Sequence, residues 1–365
     1  MIASFTNYIR LSQLYELVLF NCTFSDITDD RSNDRITLLF NIVTVNLEQQ
    51  GSFLLDSLTI TNTSLSLLTL SSFYGNTDTQ KVIRFSNIYM SDTVYITRNN
   101  FITFGPLLST QNVSVSMNEL DFRDLEFTNI ANIIDVNMQL PNPLIIDSCR
   151  FINITGGYIN LRALSTASGA SPAAVEMTNV TVLDSDFKFS TFFVLRQFCQ
   201  LSVRNCTLNR NSGYFRGTIA SILGKDSYAT FNNCRMNNNN GIVGGLFYVT
   251  TRSSIEVVNS TLFSNYAVEA AIGYVGNQGR IILDTCEIYR NKAVTVALLE
   301  IVDSTSESSI VNSRIYSNTM VQKEVTLKEV EDPTICIDLC FASNGFISFL
   351  RVNQSVLDTQ VRNTN

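Results

Sequence analysis

Residues 259–275, "NSTLFSNYAVEAAIGYV", decide the fold. A polar Asn stands before a short run of strand formers, another Asn follows it, and a second apolar run closes the stretch. No residue type in it ordinarily does chemistry. The same pattern returns about every 26 residues, and a fixed period of that size is the signature of a repeat architecture.

Aligned on one small or apolar residue per repeat, the column reads Cys22, Thr63, Ile88, Leu125, Cys149, Val180, Cys206, Cys234, Ser260, Cys286, Ser313 and, weakly, Gln354. The later spacings are 26, 28, 26, 26 and 27. Three and five residues before the column the side chains are apolar, as in Leu201 and Val203 or Ile281 and Leu283. Two residues after it stands another apolar set, such as Leu208, Met236, Leu262 and Ile288. Period-two alternation marks a strand with one buried face.

Between the two apolar sets the alternation slips by one, which a straight strand cannot do without turning its core residues outward. The residue just before the column explains the slip. It is Asn at Asn21, Asn62, Asn87, Asn179, Asn205, Asn233, Asn259 and Asn312, and Asn tolerates the left-handed conformation that a tight corner requires. Stacked coil on coil, these side chains are expected to form a ladder along one edge. A second Asn or Asp, four or five residues after the column (Asp26, Asp92, Asn129, Asn153, Asn211, Asn265, Asn291, Asn318), is expected to end the second strand. A third strand follows at 217–223, 245–250, 270–275 and 296–302.

Three strands, two polar corners and a return to register predict an all-β chain. It is a single-stranded right-handed parallel β-helix, a solenoid of about twelve coils with a few inserted loops. Its length would be about 55–60 Å. Residues 1–320 are read as coils, and 321–365 as a last coil with an acidic, Cys-containing insertion that can cap the end. The loops expected to protrude are 28–35 and 323–340.

Composition narrows function by exclusion. With 45% hydrophobic and 16% charged residues the chain can fill a large core, and a net charge of −7 without a basic cluster argues against nucleic acid. His is absent, so no His base, Ser-His or Cys-His pair, or His-ligated metal exists. Neither a cofactor nor a metal site is expected, and no apolar run is long enough to span a membrane. The first twenty residues lack the layout of a secretion leader, yet a strand pattern begins within them. The expectation is therefore a mature or truncated part of a longer secreted precursor, extracellular or at the cell surface.

Eight N-x-S/T sequons occur, at Asn21, Asn62, Asn112, Asn153, Asn179, Asn205, Asn259 and Asn353, and they are glycosylation sites if the chain is secreted. Asn, Ser and Thr are abundant enough to give roughly eight by chance, so the number alone decides nothing. Of the eight Cys, the Cys22, Cys149, Cys206, Cys234 and Cys286 column points inward as ordinary core thiols. A disulfide is open for Cys206 with Cys234, one coil apart, and for Cys336 with Cys340.

The corner Asn and inward Cys or Ser columns resemble the pectin-lyase-like β-helix superfamily. The apolar-x-x-Asn step (Leu208 to Asn211, Met236 to Asn239, Leu262 to Asn265) and the Gly244-Gly245-Leu246 strand resemble polymorphic outer membrane proteins and β-helix surface proteins of protists. The superfamily includes polysaccharide lyases and glycosidases, and the resemblance implies a test for their sites. Asn76-Thr77-Asp78 is present, but no later Asp pair, G-H-G turn or R-I-K strand accompanies it. The candidate patch for a sugar or cation is Asp121, Arg123, Asp124, Glu126, Asp147, Arg150 and Glu176, mostly on outward positions where charges ordinarily pair across strands. The reading is a non-enzymatic structural or adhesive surface protein that partners itself, end to end or laterally, or other surface proteins and glycans. The alternative is a polysaccharide-binding or polysaccharide-cleaving protein.

Overall fold

The computed structural model describes residues 52–63, 66–70, 73–74, 81–95, 102–104, 113–127, 132–136, 142–162 and 172–320 except 189, 297, 303–304 and 307. It also describes the segments 7–11, 17–26, 38–42, 45–46, 341–343 and 346–348. Among them there is no helix. Three long parallel sheets run the length of the molecule, and in each a strand pairs with its counterpart one coil earlier and one coil later. The chain is a parallel β-helix, with eleven coils described. The twelfth, around Gln354, lies outside the described residues, as do both expected loops. Near the C-terminus Phe341–Ser343 pairs antiparallel with Phe346–Ser348.

One coil, containing Cys206, shows the plan. Sheet B supplies Cys199–Arg204, sheet C Thr207–Asn209, a short sheet D Ser212–Arg216, and sheet A Ala220–Ile222. Inward positions are Leu201, Val203, Cys206 and Leu208, as the alternation predicts, together with Asn211, all buried. Aromatic rings join coil to coil along the core. Phe122, Phe151, Phe192, Phe193, Phe231 and Phe247 form a chain with successive centroid separations of 5.6, 5.4, 4.5, 6.5 and 5.2 Å.

Each described coil turns through two left-handed corners that flank sheet C. The first, just before the column, holds Asn21 (φ 54°), Asn87 (51°), Asn179 (56°), Asn205 (54°), Asn233 (53°), Asn259 (48°) and Asn312 (50°). The second, four residues after it, holds Asp26 (55°), Asn62 (48°), Asp92 (53°), Asp124 (53°), Asn153 (54°) and Asp184 (53°). Two column assignments are corrected. Thr23 pairs with Thr59 and Tyr89 with Asp121, so the column residues are Leu58 and Leu120, each five before the expected Thr63 and Leu125. Asn62 and Asp124 belong to the second corner, and the apolar alternation before each corner looks the same.

Corner Asn ladders are also corrected. Along the first edge Asn233 Nδ2 donates to Asn205 Oδ1 at 2.8 Å, but Asn87, Asn179 and Asn312 donate instead to Asp56, Asp147 and Asp284 of the preceding coil, at 3.0, 3.1 and 3.0 Å. The continuous ladder is internal. Asn211, Asn239, Asn265, Asn291 and Asn318 stack directly after the second corner, and each Nδ2 donates to the next Oδ1 at 3.1, 3.1, 3.0 and 2.9 Å. Each also donates to a carbonyl of the preceding coil, such as Met236 O from Asn265 at 3.0 Å. Its Oδ1 receives the main-chain N–H of the Asn one coil back, as Asn265 Oδ1 does from Asn239 N at 3.0 Å.

The Cys and Ser column works likewise at the first corner. Ser260 Oγ accepts from Cys234 N at 2.9 Å and donates to Val258 O at 2.8 Å; Cys206 Sγ accepts from Val180 N at 3.4 Å and donates to Arg204 O at 3.1 Å. Burial pushes Cys149 and Cys286 up to about 12, so these thiols stay protonated donors. Cys206 and Cys234 stand on one interior line as thiols in this structure. Contact with Cys234, then burial, raises Cys206. Cys336 and Cys340 lie outside the described residues.

Sheet D, of five strands, was not foreseen: Ser212–Arg216, Asn240–Val243, Tyr266–Glu269, Lys292–Ala293 and Thr319–Met320. It turns into sheet A at Gly217 and Gly244, with φ of 68° and 62°. A Cβ at Gly244 would stand 2.2 Å from Phe247 O, and one at Gly245 2.2 Å from Ala271 O, which accounts for the Gly-Gly pair.

Asn265→Ala leaves the Asn239 N–H and amide without their acceptor and should cost about 3 kcal/mol or more. Asn259→Ala at the exposed corner should cost about 1 kcal/mol and Asn259→Gly a few tenths. Urea unfolding of the three variants measures the order. Thiol titration in denaturant, with and without prior reduction, counts whether Cys206 and Cys234 are both free.

Candidate functional site

The seven residues of the expected patch divide among four places. Asp121 and Arg123 form a two-pronged ion pair on the outer face of sheet C, at 2.8 and 2.6 Å, and Arg150 of the next coil approaches Asp121 at 3.5 Å. Asp124, in the second corner, accepts from Asn153 at 2.5 Å, and Glu126 meets Lys188 at 3.6 Å. Asp147 accepts from Asn179 at the first corner, whereas Glu176 is exposed on sheet B. Its Asp121 neighbour raises Arg123. Among the described residues no three carboxylates or thiols converge as metal ligands. Asn76, Thr77 and Asp78 lie outside the described residues.

A different surface has the marks of a site. In the three-residue strands of sheet A the first and last side chains enter the core, so the middle one points outward. By register these middle residues are Asp135, Asn160, Val194, Ser221, Tyr248, Tyr274 and Glu300, one per coil over seven coils. Outward residues of a sheet face are ordinarily exposed. Here Asn160 is 8% exposed, Val194 6% and Ser221 3%, so the column is recessed in its middle and half-buried at Asp135, Tyr248, Tyr274 and Glu300.

At one end of the column Asn160 Nδ2 donates to Asp135 Oδ1 at 2.7 Å, and its Oδ1 accepts from Arg196 at 3.2 Å. Burial raises the nearby Tyr158 hydroxyl against the pull of Arg196. At the other end the rings of Tyr248 and Tyr274 stack with centroids 4.9 Å apart and planes at 3°. The Arg216 guanidinium lies 4.9 Å from the Tyr248 centroid, a cation–π contact. Burial, then the neighbouring Tyr248, raises Tyr274.

Glu300 continues this stack. One of its carboxylate oxygens, Oε2, is buried without a hydrogen-bond partner. Burial first, and the like charge of Glu269 second, hold its carboxyl above the ordinary range. Desolvated acid, stacked phenols and a guanidinium along one track give a surface able to grip an extended ligand by hydrogen bonds and ring contact.

The sequence shows these residues, in "GLFYVT", "AAIGYV" and "VALLEIV", without showing that they align. The only signal is one polar or aromatic residue centred in each third strand. A second outer stack, Phe263, Tyr289 and Tyr316 on sheet C, has centroid separations of 4.9 and 4.9 Å and planes at 4° and 1°. Arg235 covers Phe263 at 4.9 Å, as Arg216 covers Tyr248 on sheet A, so the two stacks are built alike.

No family model matches the chain, and no curated protein matches it. Among solved structures it is similar to PfbA, a surface adhesin of Streptococcus pneumoniae, at 8% identity and a TM-score of 0.34 over 91% of each chain. At that level nothing about partners passes from one protein to the other.

A carboxyl whose folded-state pKa is raised favours the protonated fold. Its contribution is intact below the unfolded carboxyl pKa and is lost as pH rises through the folded value. Glu300→Gln should therefore raise the unfolding temperature at pH 7 to 8 by about 1–2 °C and leave it unchanged at pH 4. Equal midpoints across a pH series of thermal melts would contradict this account of Glu300.

Proposed function

We propose that this chain is a non-enzymatic extracellular protein, structural or adhesive, acting at a cell surface or as a unit of a surface layer or fibre. The observation that carries this reading is the aligned, partly recessed outer column of sheet A. Seven coils give one residue each to a track that is polar or aromatic at every place but Val194, which suits an extended partner better than a small molecule. The interior is committed to coil-to-coil ladders, which stiffen a rod and hold that track straight. Its partners are surface glycans, other surface proteins or further copies of itself. The resemblance to pectin-lyase-like β-helices, and within them to polymorphic outer membrane proteins and protist surface proteins, supports the same placement.

A second reading, polysaccharide binding or cleavage, is favoured by Asp121 held between Arg123 and Arg150 on adjacent coils. It needs Ca²⁺-dependent cleavage of polygalacturonate that is lost on changing either Arg.

Under the first reading, polygalacturonate is not cleaved with or without Ca²⁺. Binding to a panel of immobilised polysaccharides and extracellular-matrix proteins, together with sedimentation of the free chain, should show an interaction. Tyr248→Ala and Tyr274→Ala should weaken it about tenfold each, given the few kcal/mol available to a buried aromatic contact. Retention of full binding by both variants would remove sheet A from the proposal.

A further inference from the structure

We propose that the corner asparagines Asn21, Asn62, Asn153, Asn179, Asn205 and Asn259 carry N-linked glycans, which line the two edges bounding sheet C and leave the outer face of sheet A bare. This rests on the extracellular reading above. Its motive is placement, not number. All six are exposed and left-handed, with φ between 48° and 56°. Asn21, Asn179, Asn205 and Asn259 stand in the first corner, where sheet B passes to sheet C; Asn62 stands in the second, directly after Thr59–Thr61, and Asn153 is the left-handed bend at the same place within Arg150–Thr155. Asn112 and Asn353 lie outside the described residues.

The geometry also places the second half of each first-corner signal. The hydroxyl residue two after the Asn is the first residue of the sheet C strand: Thr23, Thr181, Thr207 and Thr261, all off the core face. In the buried ladder the corresponding positions are Gly213, Gly241, Ala267, Ala293 and Met320, so Asn211, Asn239, Asn265, Asn291 and Asn318 carry no signal. A sugar on any of these would destroy the amide donors that hold neighbouring coils. Asn160, in the sheet A column, is followed two residues on by Arg162 and carries none either.

Transfer forms a bond from Asn Nδ2 to the anomeric carbon of an oligosaccharide. It breaks that carbon's bond to a diphosphate leaving group and releases one amide proton. The co-reactant is a diphosphate-activated oligosaccharide, supplied with its transferase by a secretory pathway.

The test expresses the chain behind a cleavable secretion leader in a eukaryotic host and measures intact mass before and after enzymatic removal of N-glycans. Peptide mapping then locates the Asn-to-Asp marks left by removal. The expected result is occupancy at the six corners. One glycan fewer is expected in each of Thr181→Val and Thr207→Val, which keep the corner Asn and its backbone role. A secreted, protease-resistant chain whose mass does not fall would overturn the proposal while leaving the extracellular reading intact.

A second pair separates corner from ladder. Ala267→Ser creates a signal at Asn265, and Ala267→Val, which creates none, is its control. Loss of secretion in the Ser variant alone is expected. Equal secretion with Asn265 occupied would overturn the division between glycan edges and buried ladder. If the corners are glycosylated but no probe above is bound, the adhesive reading fails and the modification stands.

Discussion

At left-handed corners of the later coils the chain turns a main-chain N–H toward the interior and the next coil supplies its acceptor, whereas at Leu58, Ile88, Leu120 and Val180 the same column is apolar. An orphaned buried amide is costly, and neither sheet supplies a carbonyl at that point. The following coil supplies a side chain instead. Ser260 Oγ serves Cys234 N, Ser313 Oγ serves Cys286 N at 2.9 Å, and the Asn211 to Asn318 ladder does so at the second corner. The turn into sheet B follows the same rule, with Ser227 Oγ accepting from Cys199 N at 3.1 Å and Ser308 Oγ from Ile281 N at 3.0 Å. Small polar residues deep in an apolar core are thereby explained without any chemistry of their own.

That constraint also sets how much could be read in advance. The coil period, the inward apolar positions and the first corner were legible because each imposes a residue type at a fixed spacing. Register failed at Thr63 and Leu125 because both corners ask for a left-handed polar residue after apolar alternation. Where Ser57 and Glu119 replaced Asn at the true first corner, with φ of 55° and 56°, the second corner looked like the better match. Asn211, Asn265, Asn291 and Asn318 do stand just past the end of the second strand, as expected, but only stacking shows that their amides satisfy one another. Sheet A's outer column was illegible for a related reason: a single central residue per strand has no pattern until register aligns it.

The outer surfaces divide by chemistry. Sheet C carries matched charges such as Arg123 with Asp121, and a ring stack capped by an Arg as that of sheet A is. Asp56 shows how corners use charge: the Asn87 amide holds its carboxyl below the usual range. Sheet A instead keeps a carboxyl oxygen without a partner beside stacked phenols. The amide oxygens of Asn209 and Asn237 on sheet C are likewise buried without a partner, so what sets sheet A apart is that its unpartnered group is a carboxyl beside stacked rings.

Because each ladder Asn addresses only the coils directly before and after it, the rod contains no contact that knows its total length. Duplication or loss of one 26-residue unit between Asn239 and Asn265 would bring identical amide partners together and shift everything beyond by a single strand spacing. Reach is therefore adjustable in evolution by whole turns, at almost no energetic penalty, while the exposed track grows or shrinks in step.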